Sequence, residues 1–169
     1  MPTVHGGRSA WYVCRSEGVS MYRRILLPTD GSALSKEATA AGVHFARDRG
    51  AQIVAVHVIP ELLDDQLEAW MHHDPHLVER RQALFDKFAD DYLAFVAAKA
   101  AAFHVPCELR KVRAGEAAPG ILKAAIDAKC DLIFMASHGW RNREAEMLGS
   151  ETLKVLYLSK LPVLVYKPG

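Results

Sequence analysis

The stretch RILLPTDGSALSKEATAAGVHFARDRGAQIVAVHVI, Arg24 to Ile59, decides the fold class. Its first piece, Arg24 to Thr29, is a short aliphatic run that meets Pro28, the pattern of a buried strand that stops there. Leu34, Ala38, Ala41 and Phe45 then recur at spacings of four, three and four, which predicts an amphipathic helix with Ser32 as its cap and Gly50 as its stop. Gln52 to Ile59 is β-branched and almost continuously apolar, as a parallel strand covered by helices on both faces requires.

The same alternation continues outward. After an irregular segment from Pro60 to Pro75, the window from Leu77 to Phe103 carries Leu84, Phe88, Tyr92, Phe95 and Ala98 at helical spacing. CELRKVRAG, from Cys107, alternates as a half-exposed strand, and Ala118, Ile121, Leu122 and Ala125 mark one helical face. DLIFMAS, from Asp131, is again a buried strand. A short helix with Thr152, Val155, Leu156 and Ser159 aligned follows, then the strand PVLVYK. The order βαβαβαβαβ, with crossovers long enough for parallel pairing, predicts a doubly wound α/β fold. The expected form is a Rossmann-like sandwich: a five-stranded parallel sheet, order 3-2-1-4-5, with helices on both faces. Its last strand, Pro162 to Lys167, is apolar and lies at an edge, so pairing with a second copy is expected to cover it; the alternative is a monomer that blunts the edge by other means, with Lys160 and Lys167 as its only obvious guards.

Composition bounds the function. The chain has 169 residues, half of them apolar, which suits one domain over 21–169 and leaves 1–20 as a loose, disordered tail without the apolar core of a secretory signal. Twenty-one basic against twenty acidic residues give none of the basic excess expected of a nucleic-acid binder. Cys14, Cys107 and Cys130 are odd in number and far apart, so neither a disulfide framework nor a zinc ribbon is indicated, and a reducing cytoplasm is the expected location. No apolar run approaches the ~20 residues of a membrane span.

In a doubly wound sheet, the ligand lies beyond the carboxyl ends of the strands where strand order reverses, here between strands one and four. Both strands end in small polar sequence: PTDGS (Pro28 to Ser32) and ASHG (Ala136 to Gly139). Gly149 and Ser150 precede the fourth helix, whose unpaired first-turn N–H groups and the Ser150 hydroxyl suit an anion, and Gly139 allows close backbone approach. Neither G-x-x-x-x-G-K-[ST] nor a G-x-G-x-x-G after the first strand is present.

These residues together resemble a known family. Ala136-Ser137-His138-Gly139, nine residues, then Gly149-Ser150 matches the G-x-x-G, nine residues, G-[ST] motif of the nucleotide-binding universal stress proteins at every fixed position but the first glycine. ILLPTDGS, AVHVI and KLPVLVYK also look like that UspA-like family, so the resemblance runs from Met21 to Lys167. It implies a homodimeric stress-response regulator or survival factor that binds ATP, with Mg²⁺ as a possible companion. It further implies that Asp30, beside Pro28 and Thr29, meets the adenosine, that the Val58 backbone hydrogen-bonds adenine, and that Met135 and Ala136 line base and ribose. Gly139, Gly149, Ser150 and Thr152 would then surround the phosphates. Alanine at 136 is unstrained if φ is negative and strained by about 1 kcal/mol if it is positive. Glu151, in the first turn beside the phosphates, suits the helix dipole but repels polyphosphate, which calls for Mg²⁺ or a turned-out rotamer. Arg141 and Arg143 would offset that repulsion by folding over the phosphates, or stand solvated.

Each residue has a plainer reading. Asp30 suits a turn hydrogen bond as well as a ligand. His138 lacks the surroundings of a catalytic triad and is read as structural or as a ligand contact. Trp140 either stacks on a base or packs on a neighbouring helix. The cluster His72, His73, Asp74 and His76 has metal-capable side chains but no matching ligand set, and a solvated loop is expected. With no positioned general base, the expectation leans away from an enzyme. The rivals to ATP binding are an interaction module of the same family that takes no nucleotide and a slow ATP hydrolase.

Overall fold

In a computed structural model of the chain, residues 21–61, 75–139 and 148–168 are described. The strands are β1 (Arg24–Pro28), β2 (Gln52–Pro60), β3 (Cys107–Ala114), β4 (Leu132–Ala136) and β5 (Val163–Tyr166). Between them run α1 (Ala33–Arg49), α2 (Pro75–Ala102), α3 (Ala117–Asp127) and α4 (Ser150–Leu158). All strand pairs are parallel and the order is β3-β2-β1-β4-β5, as the sequence predicts. No described helix is long and apolar enough to cross a membrane. The tail 1–20, with Cys14, lies outside the described residues.

The central strands are apolar at consecutive positions because each face meets its own helix layer. Ile25, Leu27, Ile53, Ala55, Leu132 and Phe134 pack with Val43 and Ala46 of α1 and Leu93, Val96 and Ala100 of α2. Leu26, Val54, Val56, Ile133 and Met135 pack on the opposite face with Ala118, Ile121, Ala124 and Ala125 of α3 and Val155 of α4. Each fully buried Leu, Ile or Val contributes about 1.5–3 kcal/mol. β5 is half-buried along its whole length and forms one edge. β3 forms the other and shows the expected alternation.

The predicted caps of α1 are in place. The Ser32 hydroxyl accepts the Ser35 N–H at 3.2 Å, and Gly50 takes the left-handed conformation at φ 62°. Its buried face differs from the predicted stripe: Ser35, Ala38, Thr39, Gly42, Val43 and Ala46 face the sheet, while Leu34, Ala41 and Phe45 flank it. Close approach is the reason, since a Cβ on Gly42 would stand 2.6 Å from Leu27 Cδ1; small residues occupy the seam and large ones its margins. In α2 the buried positions are Val78, Ala89, Leu93, Val96 and Ala100. Leu84, Phe88 and Ala98 are exposed, and Tyr92 and Phe95 half-buried. α3 buries Ala118, Ile121 and Ala125 as predicted, with Leu122 only partly covered. α4 buries Thr152 and Val155 and leaves Leu156 exposed.

Candidate functional site

Beyond Pro28, a hydrogen-bonded turn turns the chain from β1 into α1. Thr29 N–H donates to the Val56 carbonyl at 2.9 Å, and the Ser35 hydroxyl donates to Thr29 Oγ1 at 2.9 Å. Asp30 Oδ1 accepts the Ser32 N–H at 3.0 Å, the turn bond its residue type favours. Its other oxygen reaches across the crevice: a Cβ on Gly139 would lie 2.2 Å from Asp30 Oδ2. The two loops are thus already in contact, and glycine at 139 is what admits the carboxylate. Gly31, at φ 75°, leaves room for the Tyr92 ring, which would sit 2.2 Å from a Cβ there.

The second wall leaves β4 at Ala136, which is paired with Tyr166. Among the described non-glycine residues only His104 and Lys129 have positive φ, so alanine at 136 carries no left-handed strain. Ser137 N–H donates to the Tyr166 carbonyl at 2.8 Å, and the Ser137 carbonyl accepts the Gly149 N–H at 2.8 Å. The Gly149 amide is therefore spent on the loop. Its lack of a side chain serves packing instead, since a Cβ would stand 3.1 Å from His138 Cα. The Thr152 hydroxyl donates to the Ala136 carbonyl at 3.1 Å and fixes the start of α4 to the end of β4. First-turn amides of a helix have no intrahelical partner, so α4 presents its positive end to the space enclosed.

That space is a cavity of about 820 Å³, within the usual range for a small-molecule site. Pro28, Thr29, Asp30, Val58, Met135, Ala136, Gly139, Gly149, Ser150, Glu151 and Thr152 all line it, as does His138. Ser137, whose hydroxyl lies 3.2 Å from His138 Nδ1, is buried away from it. Trp140, Arg141 and Arg143 lie outside the described residues. Glu151 is turned away from the expected phosphate position: Oε2 accepts the Ala118 N–H at 2.8 Å, and Oε1 is 3.2 Å from Lys154 Nζ. It caps α3 from another helix, because Glu116 at the N-cap position makes no side-chain cap bond. Lys154 also donates to Glu116 at 2.7 Å, and its hydrogen bonds to Glu116 first and Glu151 second raise its pKa.

Several lining residues were not foreseen. His57, Phe85, Phe88 and Tyr92 form the end of the cavity next to α2. His57 Nδ1 donates to the Thr29 carbonyl at 2.7 Å, and its ring meets Tyr92 edge-on at 5.2 Å. Phe88 stacks on Tyr92 with centroids 6.1 Å apart. Their helical spacing is equally that of a core stripe, so nothing local marks them as a cavity wall. Of the histidine cluster, His76 is exposed and lies 3.6 Å from Glu79. His72, His73 and Asp74 lie outside the described residues, among which no group of three metal-capable side chains occurs.

This architecture, a five-stranded parallel sandwich with its crevice at the strand-order reversal, has known counterparts. The chain belongs to the universal stress protein family, whose model matches residues 21–167. It is 31% identical over 147 residues to the universal stress protein in the QAH/OAS sulfhydrylase 3′ region of Thermus aquaticus, covering 87% of this chain and 100% of that one. It is 30% identical to universal stress protein YxiE of Bacillus subtilis, with the same coverage. Among solved structures, hypothetical protein MJ0577 superposes with a TM-score of 0.67 at 26% identity, covering 88% of this chain and 98% of that one. A universal stress protein in complex with cAMP gives 0.66 at 19%, over 88% and 99%. The Archaeoglobus fulgidus protein in complex with dAMP gives 0.59 at 17%, over 87% and 99%.

Proposed function

We propose that this protein binds an adenine nucleotide, ATP foremost, in the crevice between β1 and β4, and acts as a nucleotide-dependent stress-response regulator or survival factor. The observation that carries the reading is the meeting, in one cavity, of the Asp30 turn, the Gly139 loop and the positive end of α4. The adenine nucleotides held by structural neighbours support it. In this reading Asp30 accepts hydrogen bonds from the ribose hydroxyls, the Val58 backbone pairs with adenine, and Met135 and Ala136 pack against base and ribose. The Ser150 hydroxyl and the first-turn amides up to Thr152 hold phosphate, with Gly139 and Gly149 keeping the loop close. Mg²⁺ would neutralise a polyphosphate beside this acidic wall. The reading assigns these residues binding and orientation and makes no claim of efficient turnover.

Calorimetric titration of the protein with ATP and Mg²⁺ is the direct measurement. Saturable binding is expected, and Gly149→Glu should abolish it by filling the cradle beside His138; no heat at millimolar ATP would end the proposal. One observation favours a second reading, an interaction module that takes no nucleotide: three acidic residues, Asp30, Glu116 and Glu151, line the cavity. An ultraviolet spectrum showing copurified nucleotide decides against that alternative.

A homodimer formed through Pro162 to Lys167 belongs to the same proposal. The β5 edge adjoins α4, whose Leu153, Tyr157 and Leu158 are exposed by 49%, 89% and 53%, more apolar surface than a lone helix of a monomer needs to show.

A further inference from the structure

The cavity wall has an electrostatic imbalance. Asp30, Glu116 and Glu151 line it, and among the described residues no lysine or arginine does. A phosphate chain entering such a wall is repelled unless the carboxylates are compensated from behind. Glu116 and Glu151 share one such compensating side chain. Lys154 Nζ lies 2.7 Å from Glu116 Oε2 and 3.2 Å from Glu151 Oε1, from the second turn of the helix whose first turn faces the cavity. The remaining oxygen of Glu151 rests on the Ala118 N–H, at the positive end of α3. Lys154 itself does not line the cavity, so any effect it has on a ligand passes through these two carboxylates.

We propose that Lys154 is the specificity-determining residue of the crevice: by compensating Glu116 and Glu151 from behind the wall, it lets the site take phosphorylated adenosine in preference to adenosine alone. This rests on the nucleotide reading and adds to it the residue on which phosphate tolerance depends. The side chain is 43% exposed and its ion pairs lie at the surface, where such pairs add little to folding. Its effect therefore falls on the ligand more than on stability.

The test titrates adenosine, AMP, ATP and inorganic tripolyphosphate into the wild type, Lys154→Met and the double variant Lys154→Met with Glu151→Gln. Gln keeps an acceptor for the Ala118 N–H and removes the charge. Lys154→Met is expected to weaken ATP and tripolyphosphate about fivefold to tenfold at low ionic strength, AMP less, and adenosine less than about twofold, with the differences shrinking in high salt. The double variant should recover most of the loss, and the thermal midpoints should stay close together. Equal weakening of adenosine and ATP, no weakening, or no recovery overturns the proposal. If no adenosine compound binds while tripolyphosphate keeps its dependence on Lys154, the adenine-nucleotide reading falls and the electrostatic role stands. Tripolyphosphate binding that ignores Lys154, or no binding of any phosphate compound, removes the role itself.

Discussion

At the scale of single residues, the site depends on what glycine omits. Gly31 combines φ 75° with a Tyr92 ring that leaves no space for a methyl group. Gly31→Ala should therefore destabilise the protein by about 2–3 kcal/mol, the sum of left-handed strain and a displaced aromatic, and a urea midpoint equal to wild type would contradict this. Glu151 shows how a residue can look wrong for its site in sequence and fit in space: the anticipated repulsion is met by a rotamer that caps α3. Ala136 is similar, since the conformation that would have required glycine is not adopted. Cys130 gives a pH prediction. Burial pushes its thiol up to about 11 from 9.0, with Arg24 opposing and Asp131 adding. The folded pKa is the higher one, so the stabilisation is fully present below pH 9 and is lost as pH rises toward 11, about 3 kcal/mol in all. Unfolding free energies across that range should fall more steeply for wild type than for Cys130→Ala; parallel curves would refute the assignment.

At the scale of elements, the existence, type and order of every described strand and helix was legible, because period and punctuation are local properties. The buried face of α1 was not. Leu34 and Phe45 mark a stripe by hydropathy, yet the seam belongs to Ala38, Gly42 and Ala46, since the distance from helix to sheet, set by Leu27 and Phe134, decides which sizes fit. Gly42→Val should force α1 outward and cost about 1–3 kcal/mol in chemical denaturation; a neutral result would mean that the layer yields more readily than its packing implies. The aromatics of α2 carry the same lesson. Phe88 and Tyr92 fit a core period, but α2 places them beside His57 at the cavity, and only the angle and length of the helix make that choice.

For the whole molecule, the unpaired β5 edge and the apolar side chains of α4 beside it favour assembly. The protein is expected to elute as a dimer with light-scattering mass to match, and Val165→Lys to shift it to monomer; a monomeric wild type would exclude the β5 interface. The amino-acid sequence by itself determined the α/β class and the small polar loops that end β1 and β4, because these follow from alternating periodicities and local composition; that the loops face each other followed from the expected order 3-2-1-4-5, which the sheet has. Only the tertiary structure decided which faces of α1 and α2 are buried, that α2 supplies one end of the cavity, and that Glu151 turns to α3 while Lys154 balances it. Those outcomes depend on interhelical distances and on side chains far apart in the chain, such as Ala118 and Glu151, whose proximity no local pattern encodes.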